Sequence, residues 1–149
     1  MKIILPVLAL GAVALLIGGC ASSSDSDSSA AKSAPAFPLA GPSWRLIELD
    51  GKPVPATEGL YAPTLQLDAA SLRASGTGGI NRYSASYELN GLALRFGTAS
   101  GTKMAGRPEA MAFENAYFKA LATVSSWGIN GNHLELKSAD KTVLRFQGQ

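Results

Sequence analysis

Residues 101–124 read GTKMAGRPEAMAFENAYFKALATV, and this stretch decides the fold because it alone carries helical periodicity in a chain otherwise patterned for strands. Pro108 suits the first helical position, where no amide hydrogen bond is lost, and Glu109 sets a negative charge against the positive end of the helix dipole. Beyond them Phe113, Tyr117, Ala120 and Val124 recur at spacings of four, three and four, joined by Ala116 and Leu121. The spacing predicts a helix from about Pro108 to Val124 with one apolar face, while Glu114, Asn115 and Lys119 point away. That face must be buried. The only partners on offer are the short strands before and after it.

Outside the helix the period is two. Trp44, Leu46 and Glu48 alternate with Arg45, Ile47 and Leu49 ahead of an Asp50-Gly51 turn, and Leu65 and Leu67 mark a short strand behind Pro63. Tyr83, Ala85, Tyr87 and Leu89 face one way, and Arg82, Ser84, Ser86 and Glu88 the other. Asn90-Gly91 then signals a hairpin into Leu92, Leu94 and Phe96. After the helix, Trp127 and Ile129, Leu134 and Leu136, and Leu144 and Phe146 mark three antiparallel strands, with turns at Asn130-Gly131-Asn132 and Ala139-Asp140. One face of every strand is apolar. The expected fold is α+β, mainly β: an antiparallel, barrel-like sheet interrupted by one helix that closes the core.

The first nineteen residues are a different kind of sequence. Lys2 precedes an apolar run from Ile3 to Ile17, and small residues follow directly before a cysteine, which is the build of a secretion signal. The run is too short for a membrane span, which needs roughly 20 residues, and Pro6 and Gly11 interrupt it. Ile17-Gly18-Gly19-Cys20 resembles the bacterial lipoprotein signal. That resemblance implies cleavage between Gly19 and Cys20, a diacylglycerol on the Cys20 thiol and an acylated amino group, so that the chain is attached to a membrane without spanning it. Ala21 and Ser22 stand where an Asp would retain a lipoprotein in the inner membrane, which points to an outer-membrane anchor with the domain in the periplasm. Residues 1–19 are thus expected to be a signal peptide, and 20–40 a lipidated, flexible tether rich in Ser, Ala and Pro. Residues 41–149 are expected to form one domain. Cys20 is the only cysteine, so no disulfide supports that domain, and a net charge of +2 argues against a nucleic-acid partner.

Within the domain, the order is Trp44 in a first strand, Gly79-x-Asn81 before a Tyr-rich strand, Thr102-x-Met104-Ala105, Glu114 in the helix, and a hairpin around Gly131. This combination resembles the META domain family, whose bacterial members include the HslJ-like heat-shock proteins, and it covers Trp44 to Phe146. The resemblance implies an antiparallel, barrel-like domain with one helix, often carried on exported lipoproteins and linked to envelope stress, with no catalytic residues to carry over. Many members have cysteine between the Gly and the Asn and again after Met-Ala. Here those positions are Ile80 and Gly106, so a thiol or disulfide role is excluded for this chain. The remaining motif residues read as structural, with Asn81 hydrogen-bonding its own turn.

Candidate chemistry is sparse. His133, the only histidine, sits at a turn, and with Cys20 committed to lipid no nucleophile and base are placed together, nor is a metal site. Glu48, Asp50, Glu109 and Glu114 could supply a carboxylate pair as in glycosidases. Each has a simpler role: Asp50 in a turn, Glu109 at the helix dipole, Glu114 solvated or paired with a base. Lys103 and Arg107 flank the helix start as a candidate anion site. Trp44, Tyr83, Tyr87, Phe113, Tyr117 and Trp127 form either core or the lining of an apolar groove between helix and sheet, able to take an acyl chain or a partner's apolar segment. The expectation is no catalytic residue, no metal and no cofactor. The chain reads as an envelope lipoprotein acting as a non-enzymatic binding or stress-maintenance module for a protein or lipid partner. The alternatives are a carboxylate-dependent hydrolase of envelope material and a structural accessory of an envelope complex. No oligomeric state follows.

Overall fold

The computed structural model describes residues 37–56 and 59–149; the signal, Cys20 and the tether up to residue 36 lie outside the described residues. Its strands are β1 (Ser43–Leu49), β2 (Lys52–Pro53), β3 (Thr64–Asp68), β4 (Arg73–Thr77), β5 (Arg82–Asn90), β6 (Ala93–Phe96) and β7 (Ser100–Gly101). The helix α1 (Pro108–Ala122) and strands β8 (Ser126–Asn130), β9 (His133–Ser138) and β10 (Lys141–Gly148) complete it. Every pairing is antiparallel, in the order β1, β3, β4, β5, β6, β8, β9, β10, and β10 pairs back onto β1 so that the sheet closes into a ring. Strand β2 flanks β1, and β7 continues the edge of β6 along β5.

Alternating strand direction gives the ring two ends. The start of β1, the end of β10 and the loops at 69–72, 91–92 and 131–132 share one end. The loop joining β4 to β5, the long segment from β6 to α1, and α1 itself occupy the other. Inside are Trp44, Leu46, Leu65, Leu67, Leu94, Leu134, Leu136, Leu144 and Phe146, all at most 2% exposed. The first end is closed by the incoming chain: Phe37 packs edge-on against Trp44, the ring centroids 5.3 Å apart, and the Trp44 indole N–H donates to the Leu39 carbonyl at 2.9 Å. Leu39 is itself in the core. Phe37 and Leu39 are therefore part of the packed domain, which on sequence is expected to start at Gly41.

The helix runs to Ala122, two residues short of the predicted Val124, and ends where the Thr123 hydroxyl donates back to the Ala120 carbonyl at 2.8 Å. In β1 the simple alternation fails. A bulge between Leu46 and Glu48 shifts the phase, so Leu49 turns inward and Glu48 outward to Arg145 at 2.9 Å. Arg145 also reaches Glu135 at 3.1 Å, tying three neighbouring strands across the outer face. Strand β4, with sequence RASGT, was not expected; its only large side chain is Arg73, which leaves little pattern to read. Asn90 pairs with Ala93, so the hairpin turn is Gly91-Leu92, and Leu92 stands at its tip instead of in the return strand.

At the centre, the Tyr83 and Tyr117 hydroxyls are 2.7 Å apart, and Tyr83 donates to the Thr64 carbonyl at 3.1 Å. Tyr117 lies 3.5 Å from the same carbonyl, so the two hydroxyls and the Thr64 oxygen form one buried cluster in which either phenol can donate to the other. Burial pushes both phenols up from their ordinary value, and for Tyr117 the neighbouring Tyr83 adds to the effect.

Two outcomes follow from this packing. Trp44→Ala, which empties the core and unseats Leu39, should lower stability by about 3–5 kcal/mol in urea melts. Because both tyrosines ionise more readily unfolded than folded, their contribution to stability should be constant below pH ~10 and fall above it, by up to about 1.4 kcal/mol per pH unit for each phenol. Denaturation of the Tyr83→Phe/Tyr117→Phe double variant between pH 8 and 11 should show a shallower decline; an unchanged slope would remove these phenols as the cause.

Candidate functional site

The site grows from a carboxylate that helical spacing hides. Ala110, Glu114, Tyr117 and Leu121 form the buried stripe of α1, and Glu114 is only 4% exposed. One Glu114 oxygen accepts the backbone N–H of Ile80 at 2.8 Å and of Asn81 at 2.6 Å; the other accepts the Asn81 side-chain N–H at 2.7 Å. Asn81 is equally buried. Its carbonyl oxygen accepts the Met104 N–H at 2.7 Å and the Thr102 hydroxyl at 2.8 Å, while its amide also donates to the Met104 carbonyl at 3.3 Å. A carboxylate at this depth persists because charge-assisted hydrogen bonds replace its water. Among the described residues no buried side-chain polar atom lacks a partner.

This corrects two expectations. Glu114 is buried rather than solvated and has no basic partner among the described residues, and Asn81 does not merely close its own turn. Together they stitch the turn between β4 and β5, the segment ahead of α1, and α1 itself. The signal was present in the sequence: Glu114 stands four, three and seven residues from Ala110, Tyr117 and Leu121, on the stripe rather than opposite it.

The same junction explains the two positions at which this chain departs from the cysteines of its resemblance. A Cβ placed on Gly106 would lie 2.6 Å from Cδ1 of Ile80, so positions 80 and 106 face each other, a large side chain filling the space its neighbour leaves. Gly78 is excluded from carrying a side chain in the same way, by the Phe118 ring and the Glu114 stem.

Beside the stitched junction runs an open groove of about 1190 Å³ between α1 and residues 96–105. Phe96, Met104, Met111, Phe118, Leu121 and Ala122 supply apolar lining, and Arg82, Lys103 and Lys119 are its basic members. None of these three bases has a carboxylate within ion-pair range among the described residues. Of the six aromatic candidates only Tyr83 borders this groove. Trp44, Tyr87 and Tyr117 are buried core, and Phe113 and Trp127 are half-buried against it. Trp127 instead donates its indole N–H to the Gly91 carbonyl at 3.0 Å, beside the hairpin tip. The groove is thus cut outside the ring, and the ring's inner face is filled. Lys103 lines it, whereas Arg107 is the N-cap residue in extended conformation and does not. The other carboxylate candidates are dispersed: Glu48 binds Arg145, Asp50 binds Lys141 at 2.9 Å, and Glu109 is exposed in the first turn of α1. His133 opens β9.

A closed antiparallel ring, capped by one helix that a buried Asn-Glu pair pins in place, defines a small mainly-β domain of one recognisable class. The chain belongs to the META domain family, which it matches over residues 38–149. Among solved structures it is similar to a protein from Burkholderia xenovorans determined by NMR, at 30% identity and a TM-score of 0.60, covering 74% of this chain and 83% of that one. It also shares its fold with a DUF4847 family protein from Bacteroides vulgatus ATCC 8482, at 15% identity and a TM-score of 0.51, covering 73% and 93%. No curated protein matches the chain.

Glu114→Gln should cost about 2–4 kcal/mol in chemical denaturation, because the amide that replaces one oxygen cannot accept a hydrogen bond and meets either the Asn81 amide or the two backbone N–H groups as donor against donor. The double variant Ile80→Cys/Gly106→Cys should form a disulfide in air and, by closing a loop of about 26 residues, gain roughly 2–3 kcal/mol over its reduced form. Melts with and without reductant read the difference, and a thiol count that stays at two per domain under oxidant would show that the two positions do not face each other.

Proposed function

We propose that this is a membrane-anchored envelope lipoprotein whose META domain is a non-enzymatic binding module, and that the groove beside α1 holds the acyl chain of an anionic amphiphile. The observation that carries the reading is the lining of that groove. An apolar floor is joined by three basic side chains that have no carboxylate partner among the described residues. Ligand sites of this kind bury an apolar body and orient it with a few placed polar groups. An acyl chain ending in a carboxylate or phosphate has that form.

The non-enzymatic part is supported by how the acidic residues are used. Glu48 and Asp50 are engaged in ion pairs and Glu114 is enclosed in the buried network, so the described residues offer a hydrolase no carboxylate pair facing the groove. The anchor part rests on Gly19 and Cys20 within the lipoprotein-like signal, and the outer-membrane, periplasmic placement on Ala21 and Ser22. Membership of the META domain family accords with an envelope or stress-related role.

The test is native mass spectrometry of the protein purified from envelope extract, followed by titration with a long-chain fatty acid. A bound amphiphile at one per domain is expected. Enlarging Tyr117 or Phe113 would not fill the groove, since neither lines it; Ala122→Trp does, and should weaken binding about tenfold or more with the fold intact. Lys103→Glu/Lys119→Glu should weaken it severalfold, and less so in high salt. An empty domain with no saturable uptake would overturn the reading.

A further inference from the structure

The end of the ring at which the chain enters differs in kind from the end that carries α1. Its loops, Ala69-Ala70-Ser71-Leu72, Gly91-Leu92 and Gly131-Asn132, contain no charged residue, and neither does the entering segment from Phe37 to Ser43. The opposite end holds Asp50, Lys103, Arg107 and Asp140 in its loops and turns, whereas at the entering end the nearest charges to the loop at 69–72 are the strand residues Asp68 and Arg73 that bracket it. At the uncharged end three leucines point into water: Leu72 at 52% exposure, Leu89 at 44% and Leu92 at 55%. They are neighbours. Leu72 accepts the Tyr87 N–H, two residues from Leu89, and Leu89 stands near the hairpin tip that Leu92 forms. Trp127 lies alongside, hydrogen-bonded to both residues of that turn.

Folding does not account for this patch. Leu72 has φ of 52°, a left-handed conformation that a leucine adopts at a cost and an asparagine or glycine adopts readily. An apolar side chain is thus held in solvent at a position whose backbone favours a polar one.

We infer that this end of the domain rests on the lipid surface to which Cys20 is attached, with Leu72, Leu89 and Leu92 entering the bilayer interface and Trp127 at headgroup level. The inference rests on the anchor reading above. The chain between the lipidated cysteine and the domain is residues 21–36, a length that cannot span more than about 55 Å whatever its conformation. Its attachment point is fixed: Phe37 is packed on Trp44, Leu39 is buried, and the Gly41 N–H donates to the Leu67 carbonyl at 3.0 Å. A segment this short, leaving from that end, keeps the end close to the membrane, where even weak interfacial partition is populated. Leucine and tryptophan in uncharged loops suit that boundary. The groove beside α1 then faces away from the membrane.

The experiment uses the full acylated protein in phosphatidylethanolamine–phosphatidylglycerol vesicles. Acylation leaves Cys20 unreactive, so a nitroxide can be placed at Leu92→Cys or, at the opposite end, at Lys52→Cys. The label at 92 should be shielded from an aqueous nickel chelate and exposed to oxygen, by at least about fivefold relative to the label at 52, and added salt should leave the contrast unchanged. Adding Leu72→Asn and Leu89→Asn should abolish the contrast while leaving the melting temperature unchanged or raised, since asparagine tolerates the backbone of residue 72. A label at 92 as wet as the label at 52, on protein that stays with the vesicles, overturns the docking alone. Protein of unacylated mass that washes off the vesicles overturns the anchor, and the docking with it.

Discussion

The structure depends on one buried carboxylate. The ring of strands has a weak seam where β6 meets β8, joined by a single residue pair, Ala93 with Ser126. Into the chain between them the sequence inserts the segment from Gly97 and the whole of α1. A helix supported by so little sheet must be fixed by something other than strand pairing. Glu114 does this by taking three N–H groups from Ile80 and Asn81, and Asn81 in turn holds Thr102 and Met104. Hydrogen bonds to a charged acceptor in a dry site are strong, and an orphaned donor there is costly, so the network specifies one position for the helix rather than a range of them.

That dependence explains what could be read from the chain and what could not. The helix, the hairpins at Asp50-Gly51, Asn90-Gly91 and Gly131, and the inward faces of β3, β5, β9 and β10 follow from period and turn chemistry, which are local. The bulge in β1 is not local. It is set by the register of Leu46 and Glu48 against β10, nearly a hundred residues away, and only that register explains why Leu49 turns in. Strand β4 escaped because a strand of small residues between two well-patterned neighbours needs little signal of its own. Glu114 was read as solvated because a charge on a helix is usually placed on its outer face; the donors that make its burial tolerable lie more than thirty residues away. The groove was legible only as a possibility. Aromatic residues suggested one, yet Trp44, Tyr87 and Tyr117 fill the ring, and the open surface is formed by smaller and more flexible side chains such as Met104, Met111 and Ala122.

The two ends of the ring are closed by different means, and the difference organises the rest. At one end the closure is a few apolar residues of the incoming chain, with Phe37 packed on Trp44 and Leu39 accepting its indole N–H. At the other, the cap is a full helix with its own core contacts through Tyr117 and Phe146, whose rings meet edge to face with centroids 6.5 Å apart. One flank of the helix is left facing residues 96–105 across the groove. Residues 97–105, held by Asn81 at Thr102 and Met104, pass beside that flank without packing into it.

The groove is therefore a geometric consequence of the same network that secures the fold. Asn81 and Glu114 hold the two walls, α1 and the segment ahead of it, while using up their own hydrogen-bonding capacity on each other and on nearby backbone. Asn81 and Glu114 are thereby satisfied without a ligand, and what the lining offers one is apolar surface, the three bases and a few small polar side chains such as Thr98 and Asn115. A ligand here would gain little from the pinning pair itself. Its affinity would come from burying the methionine and phenylalanine surface and from charge at the rim, so the pair can be expected to govern whether the groove exists, and the lining alone what enters it.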